Sequence, residues 1–125
     1  MKKPNTKLQS YKFGVLAEFI TIIFLKLKGY KILKRRYKTL VGEVDIIAKK
    51  GKLLIAVEVK ARKDARKDKL LLEEILSPHQ QKRIKRAMLF FTTVNFRKYF
   101  NYPVRFDLMV IKPWRFPKHY KNFWE

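Results

Sequence analysis

At 125 residues the chain is sized for one domain with a single core, and too short for two. The 6 Tyr, 10 Phe and 2 Trp, with an apolar fraction of 47%, argue against a disordered chain. Cysteine is absent, which excludes disulfides and thiolate metal sites, and the net charge of +21 points to a polyanionic partner, nucleic acid first.

Residues 1–10 are polar and basic and are expected to fray. A helix is predicted over 11–28, with Phe13, Ala17, Ile20, Phe24 and Leu27 on its inner stripe and Gly29 as its stop. Basic residues before this apolar run resemble the start of a secretory leader. Glu18 interrupts the run, however, and no small-x-small cleavage pattern follows. The run is also short of the ~20 residues that span a bilayer. The expectation is therefore a buried helix in a cytoplasmic protein with no membrane contact. Taken alone, Glu18 is more simply a solvent-facing residue or a partner for a lysine.

Residues 30–39 read as an edge strand guarded by Lys34, Arg35 and Arg36. Two strands follow over 44–48 and 53–61, joined by a four-residue loop, 49–52, with Gly51 free to adopt positive φ. These are the most strand-like segments of the chain, yet they carry Asp45, Glu58 and Lys60. Acids in buried strands are paired or bind cations. Glu58 and Lys60 are two apart and share a face. If Ala48 pairs with Leu53, Asp45 lies opposite Ala56 and Glu58 is its diagonal neighbour, with Cβ atoms about 7 Å apart. Two carboxylates so placed can lean in and share one cation. Glu43, two before Asp45, either stands behind the pair as a hydrogen-bonding acid or balances nearby lysines.

The charged run 62–69 and the rest of 62–77 are expected to form a flexible flap on the substrate side, with a helical turn or two near Leu70–Leu76. Ser77-Pro78 is a helix start, with Ser as N-cap and Pro at the first position. That helix is expected to run to about Tyr99, with Ile84, Ala87, Met88, Phe91 and Val94 inward. Its first two turns carry Gln81, Lys82, Arg83, Lys85 and Arg86, whose basic members either follow phosphates or form the wet face. A fourth strand is predicted over 104–111, where Asp107 is structural and pairs with Arg105 or a helix end. The aromatic, basic tail, 112–125, either stacks on bases or packs over the sheet; packing is the expectation.

The order helix, three strands, helix, strand fits an α/β domain with a mixed sheet of about four strands flanked by helices. Gly42-Glu43-Val44-Asp45 followed by Val57-Glu58-Val59-Lys60-Ala61-Arg62 resembles the PD-(D/E)XK nuclease superfamily, which includes the archaeal Holliday junction resolvases. With Gly14 to Glu18, Gly29-Tyr30 and Arg105-Phe106-Asp107 in the right order, the chain resembles the YraN family of uncharacterised proteins over nearly its whole length. The resemblance implies a restriction-endonuclease-like core over 1–125 and a metal-dependent endonuclease acting on DNA, with junction or other structured DNA as substrate. It implies Mg²⁺ or Mn²⁺ held by Asp45, Glu58 and the Val59 carbonyl, Lys60 at the attacking water, and Glu18 reaching the metal through water. It also places Gln81 beside the site, with Arg62, Lys63, Lys82 and Lys85 on the nucleic acid. A homodimer is consistent with it, since junction-cutting relatives act as dimers. Two rival classes remain: an inactive nucleic-acid-binding module of a larger complex, and a basic protein docking on an anionic surface with its acids in structural ion pairs.

Overall fold

A computed structural model of the chain describes residues 6–62 and 76–125. The elements are α1 (Thr6–Leu27), β1 (Lys31–Lys38), β2 (Glu43–Lys50), β3 (Leu53–Ala61), α2 (Pro78–Val94), the single turn α3 (Phe96–Tyr99), β4 (Val104–Ile111) and β5 (Lys118–Trp124). The five strands form one mixed sheet in the order β1-β2-β3-β4-β5. Only β3 and β4 are parallel, and the crossover between them carries α2.

Helix α1 covers one face of the sheet. Its Ala17, Ile22 and Leu25 pack with Tyr30 onto Ile46, Ile55, Val57 and Met109. Helix α2 covers the other face, with Ile84, Ala87, Met88 and Phe91 on Val44, Ile47, Leu54 and Ala56. Covered on both sides, β2 and β3 have continuous buried apolar stretches, Ile46–Ala48 and Leu54–Val57, in place of strict alternation. The edges are β1, whose Lys34, Arg35 and Arg36 are exposed, and β5.

Helix α1 ends where expected. Gly29 takes φ +91, its N–H donates to the Lys26 carbonyl, and the Tyr30 N–H donates back to Leu25. This is a Schellman stop, and Tyr30 is buried beneath it. The start comes earlier than expected, at Thr6, because Lys7, Leu8 and Gln9 are ordinary helix formers. The inner stripe is also rotated: Leu27 is 82% exposed, while Thr21, Ile22 and Leu25 are buried. Ser77 caps α2 by accepting from the Gln80 N–H at 3.2 Å, with Pro78 at the first position, in line with the sequence. The helix stops at Val94, short of Tyr99, because Asn95 leaves helical geometry and its side-chain amide donates to the Phe91 carbonyl. Val94 is exposed, not inward. The expected flap falls largely at 63–75, outside the described residues, as do Lys63 and the helical turn expected near Leu70.

Two corrections concern the sheet. The β2–β3 turn has two residues, Gly51 and Lys52, since Lys50 pairs with Leu53 and Ala48 with Ile55. Gly51 takes φ +59 at the first central position of this tight hairpin. The tail is not merely packed over the sheet either, because 118–124 forms β5 beside β4. Its period is broken by a register shift opposite Phe106 and Leu108, where Asn122 takes φ +52.

That irregularity serves Asp107, which is fully buried. Arg105 donates to both its oxygens, each at 2.8 Å, and also to the Tyr30 hydroxyl at 2.9 Å. His119 Nε2 lies 2.8 Å from Asp107, and the Asn122 N–H donates to it at 2.9 Å. Burial alone would raise the Asp107 carboxyl, but donors from His119, Arg105 and Asn122 outweigh it and hold the group at about 2. Lys28 lies 3.2 Å from His119 Nδ1. A carboxylate acceptor beside Nε2 makes that nitrogen the ring's donor toward Asp107. Asp107 thus pairs with Arg105, as the sequence suggests, and ties β4, β5 and the end of α1 together.

Gly42 positions α2. A Cβ there would lie 1.8 Å from the Arg83 carbonyl oxygen. The Gly42 carbonyl accepts from the Thr39 N–H and hydroxyl, each at 2.8 Å, so the turn cannot retreat freely. Gly42→Ala is expected to push α2 off the sheet and destabilise the protein by about 1–3 kcal/mol. An unchanged melting temperature would contradict this packing.

Candidate active site

β2 and β3 part company at the end of the sheet away from the hairpin. Their ladder stops at Ile46 opposite Val57, and one more residue of that register sets Asp45 across from Glu58. The register differs by two from the expected one. Because a shift of two keeps each residue's face, the two acids stay neighbours, each one residue past the last rung on its own strand. Beyond the last rung Asp45 replaces a backbone acceptor: its Oδ2 takes the Val59 N–H at 2.8 Å.

The two carboxyls lie close enough that each acts on the other's proton. Lys60 Nζ lies 3.6 Å from Glu58 Oε1, and both side chains are largely buried, at 16% and 15% exposed. Burial, then the like charge of Asp45, pushes Glu58 up to about 8, against the pull of Lys60. Burial likewise raises Asp45, opposed by the Val59 N–H. At neutral pH the pair therefore holds one proton between two acids.

Asp45 opens into a cleft of about 350 Å³ between α1, β1 and β2, lined also by Tyr11, Gly14, Glu18 and Arg36. Glu58 opens into a narrow cleft of about 40 Å³ against α2, with Gln80, Arg83 and Ile84. Glu43 lines both and is exposed. The acids thus sit in the gap between the two helical layers, where the strands splay, and not on one flat face. Glu18 comes to the same cleft, where Arg36 donates to it at 2.8 Å, and its negative charge acts on Asp45.

Of the remaining candidates among the described residues, Arg62, Gln81, Lys82 and Lys85 line neither cleft. The Arg62 N–H donates to the Ile111 carbonyl at 2.9 Å, which carries β3 one step past its strand. Gln81 donates to the Leu76 carbonyl at 3.2 Å and so braces the entry to α2. Lys82 and Lys85 are exposed on α2. The sequence does not show that two contributors, Arg36 and Arg83, come to the acids. Arg36 reads there only as an edge guard, although its φ of +48 marks a break in the strand; Arg83 belongs to an undifferentiated basic run. Nothing local in the sequence ties either to an acid.

Among the described residues no group of three or more His, Cys, Asp or Glu converges on one point as a metal cluster. The protein offers two neighbouring carboxylates, with Glu18 and Glu43 across the cleft. Nor is any helix among the described residues long and apolar enough to cross a membrane.

A helix-covered mixed sheet with an acid pair and a lysine where its central strands part defines an α/β protein with a polar, oxygen-donor site. The chain belongs to the uncharacterised protein family UPF0102, whose family model matches residues 17–111. That range takes in the second half of α1, all the site strands and α2. It is 36% identical to a UPF0102 protein of Parvibaculum lavamentivorans over 121 residues, covering 97% of this chain and 87% of the relative. A UPF0102 protein of Bartonella tribocorum is 41% identical over 124 residues, covering 98% and 88%. One from Rhodopseudomonas palustris is 42% identical over 113 residues, covering 90% and 82%.

Proposed function

We propose that the protein is a divalent-metal-dependent nuclease that hydrolyses phosphodiester bonds in DNA, with structured or branched DNA as substrate. The observation that carries this is the placing of Asp45 and Glu58 just past the end of the β2–β3 ladder, with Lys60 beside Glu58, in a gap that opens to solvent on a chain of net charge +21. The α-β-β-β-α-β order is compatible with a nuclease core of the PD-(D/E)XK kind.

The donor chemistry fits Mg²⁺ or Mn²⁺. Mg²⁺ keeps several waters and is usually bound by one or two carboxylates plus substrate phosphate, so it does not require a cluster of three acids. Hard carboxylate oxygens without thiolate or imidazole favour it over zinc. Asp45 and Glu58 would hold the ion, with the Val59 carbonyl as a further ligand. When bound, it lowers the pKa of a coordinated water and polarises the phosphoryl group. To hold the cation, Glu58 would release its shared proton to solvent. Lys60 orients the attacking water and offsets charge on the phosphate. Glu18, held by Arg36, accepts a hydrogen bond from water in the cleft. Water oxygen joins phosphorus and the bond to the leaving oxygen breaks. The products are one phosphomonoester end and one hydroxyl end. Arg62, Lys63, Gln81, Lys82 and Lys85 would follow the backbone phosphates, and Glu43 would stand behind the pair.

A binding module without catalysis is the second reading. It is favoured by Glu18 and Glu58 already having cationic partners in Arg36 and Lys60. The test is cleavage of a panel of branched, single-stranded and duplex DNAs with Mn²⁺, beside Glu58→Ala. The nuclease reading expects products from wild type and a loss of at least about 10²-fold in the variant. DNA bound but left whole by wild type would favour the module.

A further inference from the structure

The aromatic tail divides into two populations. Trp124 is 7% exposed and its ring lies 5.3 Å from that of Phe106. Trp114 and Phe116 are 102% and 92% exposed, on the loop between β4 and β5. Trp114 also takes φ +59, which a bulky residue seldom adopts without a constraint or a use. The expectation that the tail simply packs over the sheet therefore fails at these two rings.

The loop's position matters. β3 and β4 are parallel, with Lys60 beside Val110 and Ala61 beside Ile111. The chain after Ile111 thus emerges at the same end of the sheet as the acid pair. It reads Lys-Pro-Trp-Arg-Phe-Pro-Lys, a ring or proline alternating with cations. Behind the rings lies an apolar cleft of about 610 Å³, shared with Phe13, Leu16 and Ile20 of α1. Residues of α1 therefore line both this cleft and the one that holds Asp45.

We propose that Trp114 and Phe116 form a stacking platform for unpaired bases beside the acid pair, so that the substrate is nucleic acid with splayed bases and not an intact blunt duplex. This rests on the nucleic-acid reading above and names its substrate class. Exposed rings offer π-faces to any base, and Arg115 between them can meet the phosphate or stack as a cation. An intact duplex hides its base faces and engages such a loop only if it is unstacked. Charge selects this occupant over a second copy of the chain. Two chains of net charge +21 repel, whereas a polyanion is attracted to the same surface.

The two tryptophans make the test direct. In a Trp124→Phe background the emission reports Trp114 alone. Without metal, a thymidine oligonucleotide is expected to quench that emission, while a blunt duplex of equal length binds without quenching. Trp114→Ala, at a fully exposed position, is expected to weaken single-strand binding about tenfold. The salt slope and the duplex affinity should stay unchanged, and Trp114→Phe should restore much of the loss. If Trp114→Ala with Phe116→Ala binds single strands as wild type does, the platform is wrong while the nucleic-acid reading stands. If wild type binds no nucleic acid at any salt, both fall. Trp114 emission that changes with protein concentration alone, with a doubled sedimenting mass, would assign the surface to a second copy instead.

Discussion

Glu58→Gln is expected to raise the melting temperature of the metal-free protein at pH 9 and to abolish Mn²⁺-dependent cleavage. The glutamine amide can still donate to Asp45 while the like charge is removed. The wild-type carboxyl is raised to about 8 by burial first and by Asp45 second. A carboxyl raised on folding is bound to its proton more tightly in the native state. Its contribution is complete below the ordinary carboxylate range and is lost as pH climbs through about 8. Each pH unit that separates the native from the unfolded carboxyl is worth roughly 1.4 kcal/mol, so wild type should lose on the order of a few kcal/mol between about pH 5 and 9. Glu58→Gln should lack that slope. Comparing the two proteins cancels the response of the rest of the chain. If Glu58 were instead a structural partner of Lys60, the variant would be less stable at every pH where the wild-type acid is ionised.

Asp107→Ala is expected to cost about 3–5 kcal/mol, because removing one member of a buried charged network leaves the others uncompensated. Arg105 would lose both carboxylate bonds, His119 its Nε2 acceptor, and Asn122 the oxygen that holds its strained turn. The side chain of His119 is only 2% exposed, so water cannot replace what is lost there. β5 should detach from β4, and the midpoint of urea unfolding should fall accordingly. The carboxyl is held at about 2, so its contribution is present above the usual aspartate range and fades as pH drops through 2. That contribution should hence be lost progressively between about pH 4 and pH 2. A loss below about 1 kcal/mol in Asp107→Ala would show that the network is solvated in solution.

The two effects separate the two acid clusters, which look alike in sequence. Asp107 is an acid in a strand flanked by apolar residues, as Asp45 is. Arg105 two residues away marks it as structural, and the geometry agrees. Asp45 and Glu58 have no arginine so placed, and their strands can be paired from the sequence because apolar runs flank a lysine–glycine break. The expected register is off by two, which changes the partners but keeps each residue on its own face. What the sequence does not carry is that the strands splay there, so that Asp45 and Glu58 open into different clefts. That depends on α2, held close by Gly42, and on Arg36 reaching Glu18 from another element.

The same limit explains the missed strand. In β5 the inward positions are filled by His119 and by Phe123 and Trp124 across a register shift, so no alternating apolar pattern survives. A histidine turned inward toward a buried aspartate reads, in sequence, as a polar residue of a loop. Helix α1 presents the opposite problem. It is apolar nearly all round, with Leu16, Phe19 and Ile23 exposed, so periodicity alone cannot choose its buried stripe.

The central claim is that Asp45 and Glu58 form a divalent-cation site, and calorimetric titration with Mn²⁺ at pH 6.5 and 8.5 tests it without any assumption about substrate. Binding must displace the proton that the pair shares, so affinity should rise with pH and protons should be released to the buffer. Asp45→Asn should remove the binding at both pH values while leaving the metal-free protein at least as stable as wild type. Mn²⁺ binding that Asp45→Asn leaves intact, or no binding by wild type at either pH, would contradict the account.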